Sequence, residues 1–315
     1  MMKKSSIIFM MIALPALFSA SIVNAKTIEI GVAWAGKSGM AKRIAEGFIE
    51  GVKELNLDVK IEFHKELASV ADLAAVAAKW QKEKQGMVLL RSNAAKWLAK
   101  NPPTIPTFIG GCNHPSRLGV VKNLQAPEGN ITGVTYYLPA ASQFDVFKEI
   151  IPDLKSVLLL LEKGHPSALI DQEGTKAACS KLGIRYNEKF SETRAETIAA
   201  VKHYRGKVSA IILGNQALIF DDAENIVAAA NETPVLSFSS KPVKVGALGG
   251  LAADDTKLGY MLAYSVADVL ARGKNIKTVP VKVDPDPKLY LNANTALRLQ
   301  IEIPFHLVEA ATVIE

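Results

Sequence analysis

The stretch Thr27-Ile-Glu-Ile-Gly-Val-Ala33, with the periodic residues Met40, Ile44, Phe48, Val52 and Leu55 behind it and Val59-Lys-Ile-Glu-Phe63 next, decides the fold. The first run is short, apolar and β-branched, which suits a buried strand. The five residues that follow recur at spacings of three and four and so share one face of a helix. Val59 to Phe63 alternates as a strand does. A strand, a helix and a second strand in succession form a βαβ unit, whose strands lie parallel.

The pattern continues outward from there. Val70, Leu73, Ala74 and Ala77 mark a second helix, Met87-Val-Leu-Leu90 a strand, Ala94 to Ala99 a helical segment and Pro106-Thr-Phe-Ile109 a strand. A second series then begins. Gln143 to Ile151 is helical, Ser156 to Leu161 a strand, Ser167 to Leu182 a helix closed by Gly183, and Ile184 to Phe190 a strand. Ala195 to Tyr204, Ser209 to Leu213, Asp222 to Asn231 and Pro234 to Phe238 repeat the alternation. The fold class expected is α/β, with two Rossmann-like lobes built on parallel sheets. Leu258 to Arg272 adds a helix, Val279 to Leu291 an extended segment, Thr295 to Leu299 a short helix, and Ile303-Pro304 the expected end of the fold.

The chain has 315 residues, 49% hydrophobic and 22% charged, enough for a substantial core. The net charge of +6 comes from interspersed residues, 37 basic and 31 acidic. A nucleic-acid partner needs a clustered basic face, and none is legible. Residues 1–25 read as a secretory signal peptide. Lys3 and Lys4 precede the apolar run Ile7 to Phe18, and Val23-Asn24-Ala25 forms a small-residue cleavage site. The run is too short for a membrane span, which takes about 20 residues. A soluble protein exported to a bacterial periplasm is expected. The two cysteines, Cys112 and Cys179, lie far apart in sequence and are read as partly buried free thiols.

Catalytic patterns are weak. Gly31-Val-Ala-Trp-Ala-Gly-Lys-Ser38 fits the phosphate-loop pattern, but Gly31 belongs to the strand and leaves too short a loop. No apolar strand ends in the Asp that would complete its metal site. The five histidines are scattered, and the Asp221-Asp222 and Asp254-Asp255 pairs stand where helix starts are expected, as N-caps. No enzyme activity, cofactor or metal is expected. Ligands of parallel α/β sheets sit beyond the carboxyl ends of the strands, so two such lobes suggest a receptor that closes on a ligand.

Several stretches carry a family resemblance. They are Gly47-Phe-Ile-Glu-Gly-Val-Lys-Glu-Leu55, Leu118-Gly-Val-Val-Lys-Asn-Leu124, Gly129-Asn-Ile-Thr-Gly-Val-Thr135 and Phe147-Lys-Glu-Ile-Ile-Pro152. Gly246-Ala-Leu248, Leu258-Gly259, Val269-Leu-Ala-Arg-Gly273, Pro287-Lys-Leu-Tyr-Leu-Asn292 and Thr295-Ala-Leu-Arg-Leu-Gln-Ile-Glu-Ile-Pro304 follow in the family's order. The chain resembles the ABC transporter substrate-binding protein family with the type I periplasmic-binding fold, a group that includes tryptophan- and tyrosine-binding members. The resemblance implies an N-terminal lobe of residues 26–135 plus 253–279 and a C-terminal lobe of 136–252 plus 280–315. A three-segment hinge would lie near Thr135, Leu251 and Pro280. It also implies a small amino-acid-like ligand, with aromatic amino acids among the candidates, and delivery to an ABC permease and its ATPase by a monomeric receptor. A sensor subunit signalling to a membrane histidine kinase or diguanylate cyclase is the alternative.

The resemblance also implies where the ligand contacts stand. In the first lobe they are Trp34 after the first strand, Ser92 and Asn93 after the third, and Asn113 in the next turn. Tyr136 stands at the first crossover. In the second lobe they are Glu162, Asn215 and Ser239, each after a strand. Asp254, near the second crossover, is the expected partner of a ligand ammonium group.

Overall fold

The structure is a computed structural model and describes residues 27–315. The expected signal peptide lies outside the described residues. The first series comprises β1 (Ile28–Ala35), α1 (Gly39–Glu54), β2 (Val59–Leu67), α2 (Val70–Glu83), β3 (Gly86–Leu90), α3 (Ser92–Lys100), β4 (Thr107–Gly110) and β5 (Ile131–Thr135). The second begins with α4 (Ala140–Ile150), β6 (Ser156–Glu162), α5 (Ala168–Leu182), β7 (Arg185–Ser191), α6 (Arg194–Tyr204) and β8 (Ala210–Leu213). It continues through α7 (Ala217–Phe220), α8 (Ala223–Ala230), β9 (Val235–Ser237), α9 (Ser240–Lys244) and β10 (Gly249–Ala252). The tail holds α10 (Asp255–Val266), β11 (Lys282–Val283), β12 (Lys288–Asn292), α11 (Ala293–Arg298), α12 (Phe305–Ala310) and β13 (Ala311–Ile314).

Two sheets result, each covered by helices on both faces. The first runs β11-β5-β4-β3-β1-β2, and all its neighbours pair parallel. The second runs β13-β12-β10-β9-β8-β6-β7, parallel except for β10 against β12. Successive strand residues point to opposite faces, and the cores follow that rule. In β1, Ile30, Val32 and Trp34 face α1 and α10, whereas Ala33 and Ala35 join the core under α2 and α3. In β6, Val157, Leu159 and Leu161 pack with Phe144 and Phe147 of α4, and Leu158 and Leu160 face α6 and α8.

Both sheets contain the strand order 2-1-3-4-5 when their own strands are counted: β2-β1-β3-β4-β5 in the first and β7-β6-β8-β9-β10 in the second. Each order therefore reverses once, between β1 and β3 and between β6 and β8. At such a reversal the outgoing connections part to opposite faces and leave a crevice at the strand ends.

The chain passes between the sheets three times: after β5, after β10 and between β11 and β12. The third passage differs from the expected one near Pro280, because Lys282 and Val283 still pair with β5 of the first sheet. Ile303-Pro304 is also not the end of the fold, since α12 and the edge strand β13 follow it. Gly31 lies inside β1, where a Cβ would stand 2.2 Å from the Trp80 ring; it is a packing glycine and not part of a phosphate loop. Ser38 caps α1, its hydroxyl accepting from Ala41 N at 3.2 Å. Cys112 and Cys179 are free and fully buried, and burial pushes both thiols up to about 12. Among the described residues, no helix is long and apolar enough to cross a membrane.

Candidate ligand-binding site

The carboxyl ends of the two sheets enclose a cleft of about 570 Å³. That volume suits a small organic ligand. The first wall is built by the loop after β1 (Lys37, Ser38), the start of α1 (Met40, Arg43) and the β3–α3 junction (Arg91, Ser92, Asn93). The second is built by Glu162 at the end of β6 and His165 beyond it, by Asn215, Phe220 and Asp221 after β8, and by Phe238 to Lys241 after β9. Tyr136 stands at the first passage and Ala252, Ala253 and Asp255 at the second. Both order reversals thus open into one cavity.

Six of the nine expected contacts line this cleft: Ser92, Asn93, Tyr136, Glu162, Asn215 and Ser239. Asn113 does not. Its Nδ2 donates to Asp171 Oδ1 at 3.0 Å, and it borders a neighbouring cavity of about 20 Å³, room for a single water. Trp34 is only 1% exposed and packs between β1 and α1, because it shares strand parity with Ile30 and Val32. Asp254 is not a lining residue either. It caps α10, accepting from Thr256 N at 3.0 Å and Lys257 N at 3.2 Å, and it pairs with Lys288 at 2.6 Å. The neighbouring Asp255 faces the cleft instead and is held by Arg43 at 2.7 Å.

Charge in the cleft is largely paired. Arg43 meets Asp255, and Lys241 meets Asp221. Glu162 accepts from Leu218 N at 3.1 Å. Burial, followed in size by the Glu162 charge that opposes it, sets the His165 imidazole below its ordinary range. Aromatic side chains contribute to the apolar lining: Phe220 and Phe238 belong to the second wall, and the Tyr136 phenol is pushed up by burial and reaches Ser167 Oγ at 3.4 Å.

Beside the cleft, polar bonds join the two halves. Ser92 Oγ, which accepts from Asn113 N at 3.0 Å, receives a bond from Ser167 Oγ at 3.3 Å. Asp171 of α5 gathers Asn113 Nδ2 from the first half, and Asn215 N at 2.8 Å and Gln216 Nε2 at 2.6 Å from the second. Burial pushes its carboxyl up to about 6, and these three donors hold it back from going further. On the outside, Arg117 pairs with Glu173. The turn at 113–117 is therefore a clasp on α5.

The sequence reading missed Arg91, Phe220, Phe238, Asp171 and Asp255. Arg91 and Phe238 each stand one residue before an expected contact, so the rule that ligands follow strands reached their neighbourhood. Asp171 lies in the first turn of α5, where an acid suits the helix dipole, and nothing in the sequence sets it apart from a solvated one.

Two α/β halves that open their switch points into one shared cleft define a small-ligand receptor of the type I periplasmic-binding architecture. Residues 29–314 match the family described as ABC transporter substrate binding protein, and the chain belongs to that family. It is a binding protein and not an enzyme. A curated relative, the tyrosine-binding protein of Clostridioides difficile (strain R20291), is 22% identical over 284 residues, covering 88% of this chain and 82% of the relative. Among solved structures, a conserved domain protein from Vibrio cholerae superposes with a TM-score of 0.79 at 24% identity, covering 92% of this chain and all of the other. An ABC domain from Streptococcus pneumonia in complex with L-Trp gives 0.78 at 24% identity, covering 91% of this chain and all of the other.

Proposed function

We propose that the protein captures one small amino-acid-like solute in this cleft outside the cytoplasm and delivers it to the membrane permease and ATPase of an ABC importer. The observation that carries the reading is the shared cavity of about 570 Å³ at both switch points. An amino acid with an aromatic side chain fits its chemistry. Tyr136, Phe220 and Phe238 offer ring surfaces, and Glu162 offers a carboxylate to an ammonium group in place of the expected Asp254. The names of the tyrosine-binding and L-Trp-bound relatives support the same class. The first lobe on this reading runs to Thr135 and resumes at 253–283. The second takes 136–252 and 284–315. The receptor works as a monomer in the periplasm, with residues 1–25 removed on export.

A thermal-shift screen tests this. Protein stripped of ligand by unfolding and refolding is challenged with the common amino acids, short peptides, purines, sugars and organic acids. A ligand at about 100 times its dissociation constant adds roughly 2.7 kcal/mol. In a protein of this size that raises the midpoint by several degrees. The expected result is a shift with an aromatic amino acid. A shift with a sugar or purine and none with any amino acid overturns the ligand class.

A further inference from the structure

We infer that Arg91 is a ligand-contacting residue that binds a carboxylate of the solute from the first wall of the cleft. The inference deepens the receptor reading above and rests on it for the location of the ligand. Three observations on Arg91 combine. It stands at the β3–α3 junction, beside the order reversal, and lines the cleft. Its backbone has φ 84° and ψ 157°, a region that is essentially reserved for glycine. Among the described residues, it forms no ion pair, although the cleft's other arginine, Arg43, and Lys241 on the opposite wall are each matched to an aspartate.

The strain makes the residue type informative. A glycine would satisfy this turn without cost, yet the chain places its longest cationic side chain there. The fold gives the charge no ion pair of its own: the Asp221 carboxylate acts on it from beyond ion-pair distance and is itself paired with Lys241. Arg91 gives α3 no side-chain cap, and its fixed partner is a neutral group, the Ala35 carbonyl at the end of β1. That bond occupies one N–H and sets the direction of the guanidinium. Among the described residues, the remaining donors of the planar fork meet no carboxylate within hydrogen-bond distance. Strained residues of this kind persist at ligand clamps, and the fork matches the two oxygens of a carboxylate. Ser92 and Asn93 lie beside it in the same wall. Glu162, across the cleft, would then face the cationic end of a zwitterion.

The test compares the unaltered protein with Arg91→Gly and Arg91→Lys. The first readout needs no ligand. Arg91→Gly, which relieves the backbone, is expected to leave the unfolding midpoint of the stripped protein unchanged or to raise it. A purely structural arginine, holding the β1 loop through Ala35, would lower it. The second readout is calorimetric binding of L-tryptophan and L-tryptophanamide. The unaltered protein should prefer the carboxylate by about tenfold or more; Arg91→Gly should lose that preference, and Arg91→Lys should keep part of it. A preference that survives in Arg91→Gly overturns the inference. If neither compound binds, the aromatic amino-acid reading fails, and acetate decides the question for Arg91. Acetate exchanged for chloride at constant ionic strength should raise the midpoint of the unaltered protein and not that of Arg91→Gly. Equal responses overturn the inference.

Discussion

Gly259→Val is expected to cost about 3 kcal/mol or more and to disable the cleft as well as the fold. A Cβ on Gly259 would stand 2.3 Å from Ile44 O and 2.6 Å from Phe48 N, both backbone atoms of α1. The opposing Gly47 is under the same restriction, since its Cβ would meet Thr256 O at 2.2 Å. Helices α1 and α10 therefore touch backbone to backbone, and a side chain at either glycine must push them apart. Rotamer changes cannot relieve a clash with main chain. The displaced helix carries Met40 and Arg43 of the first wall, and Arg43 holds Asp255 of the second passage. Denaturant titration of the variant should show a lower midpoint, or no folded baseline at all. A midpoint equal to that of the unaltered protein would mean that the two helices have room to spare.

Asp284→Ala is expected to lower stability by about 2–3 kcal/mol, or roughly 5–8 °C in the unfolding midpoint. The Asp284 side chain is fully buried and sits where the third passage leaves the first sheet. One oxygen accepts from Asp254 N at 2.8 Å, at the second passage; the other accepts from Lys257 Nζ at 2.9 Å and Asp286 N at 3.0 Å. A single carboxylate thus ties two of the three interlobe segments together. Alanine leaves the two backbone donors without acceptors and Lys257 with only Asp286 to meet, which costs more than the bonds are worth net. Asp284→Asn keeps one oxygen and should lose about half as much. Calorimetric scans of both variants check the order. An alanine variant as stable as the asparagine one would show that the tie carries no load.

The alternating architecture was legible because the apolar periodicities of β1, α1 and β6 are long and clean. The walls of the cleft were legible in outline for a simple reason: in a parallel sheet the site residues follow the strand ends, and Ser92, Glu162, Asn215 and Ser239 all stand there. Three kinds of information were not in the pattern. The Asp254-Asp255 pair starts a helix, where neighbouring residues point about 100° apart; which of the two faces the cleft depends on how α10 docks against α1. Trp34 was readable in principle, because its parity in β1 matches Ile30 and Val32, but its ring chemistry suggested a ligand. Asp171 and Asp284 look like surface acids in sequence and become buried only when segments 113–117, 215–216 and 254 arrive from elsewhere in the chain. The short elements β11 and β13 owe their place in the sheets to neighbouring strands, and four residues or fewer carry no periodicity of their own.

As a receptor, the protein should hold one small molecule per chain in its cleft. Native mass spectrometry tests it whatever the ligand is. Protein purified under mild conditions from cells grown in rich medium is compared with the same protein after unfolding and refolding. The expected result is one non-covalent adduct per chain in the first sample, lost from the second and restored by adding back a small-molecule extract of the medium. Identical masses in all three samples, with no component of the extract retained, would contradict it.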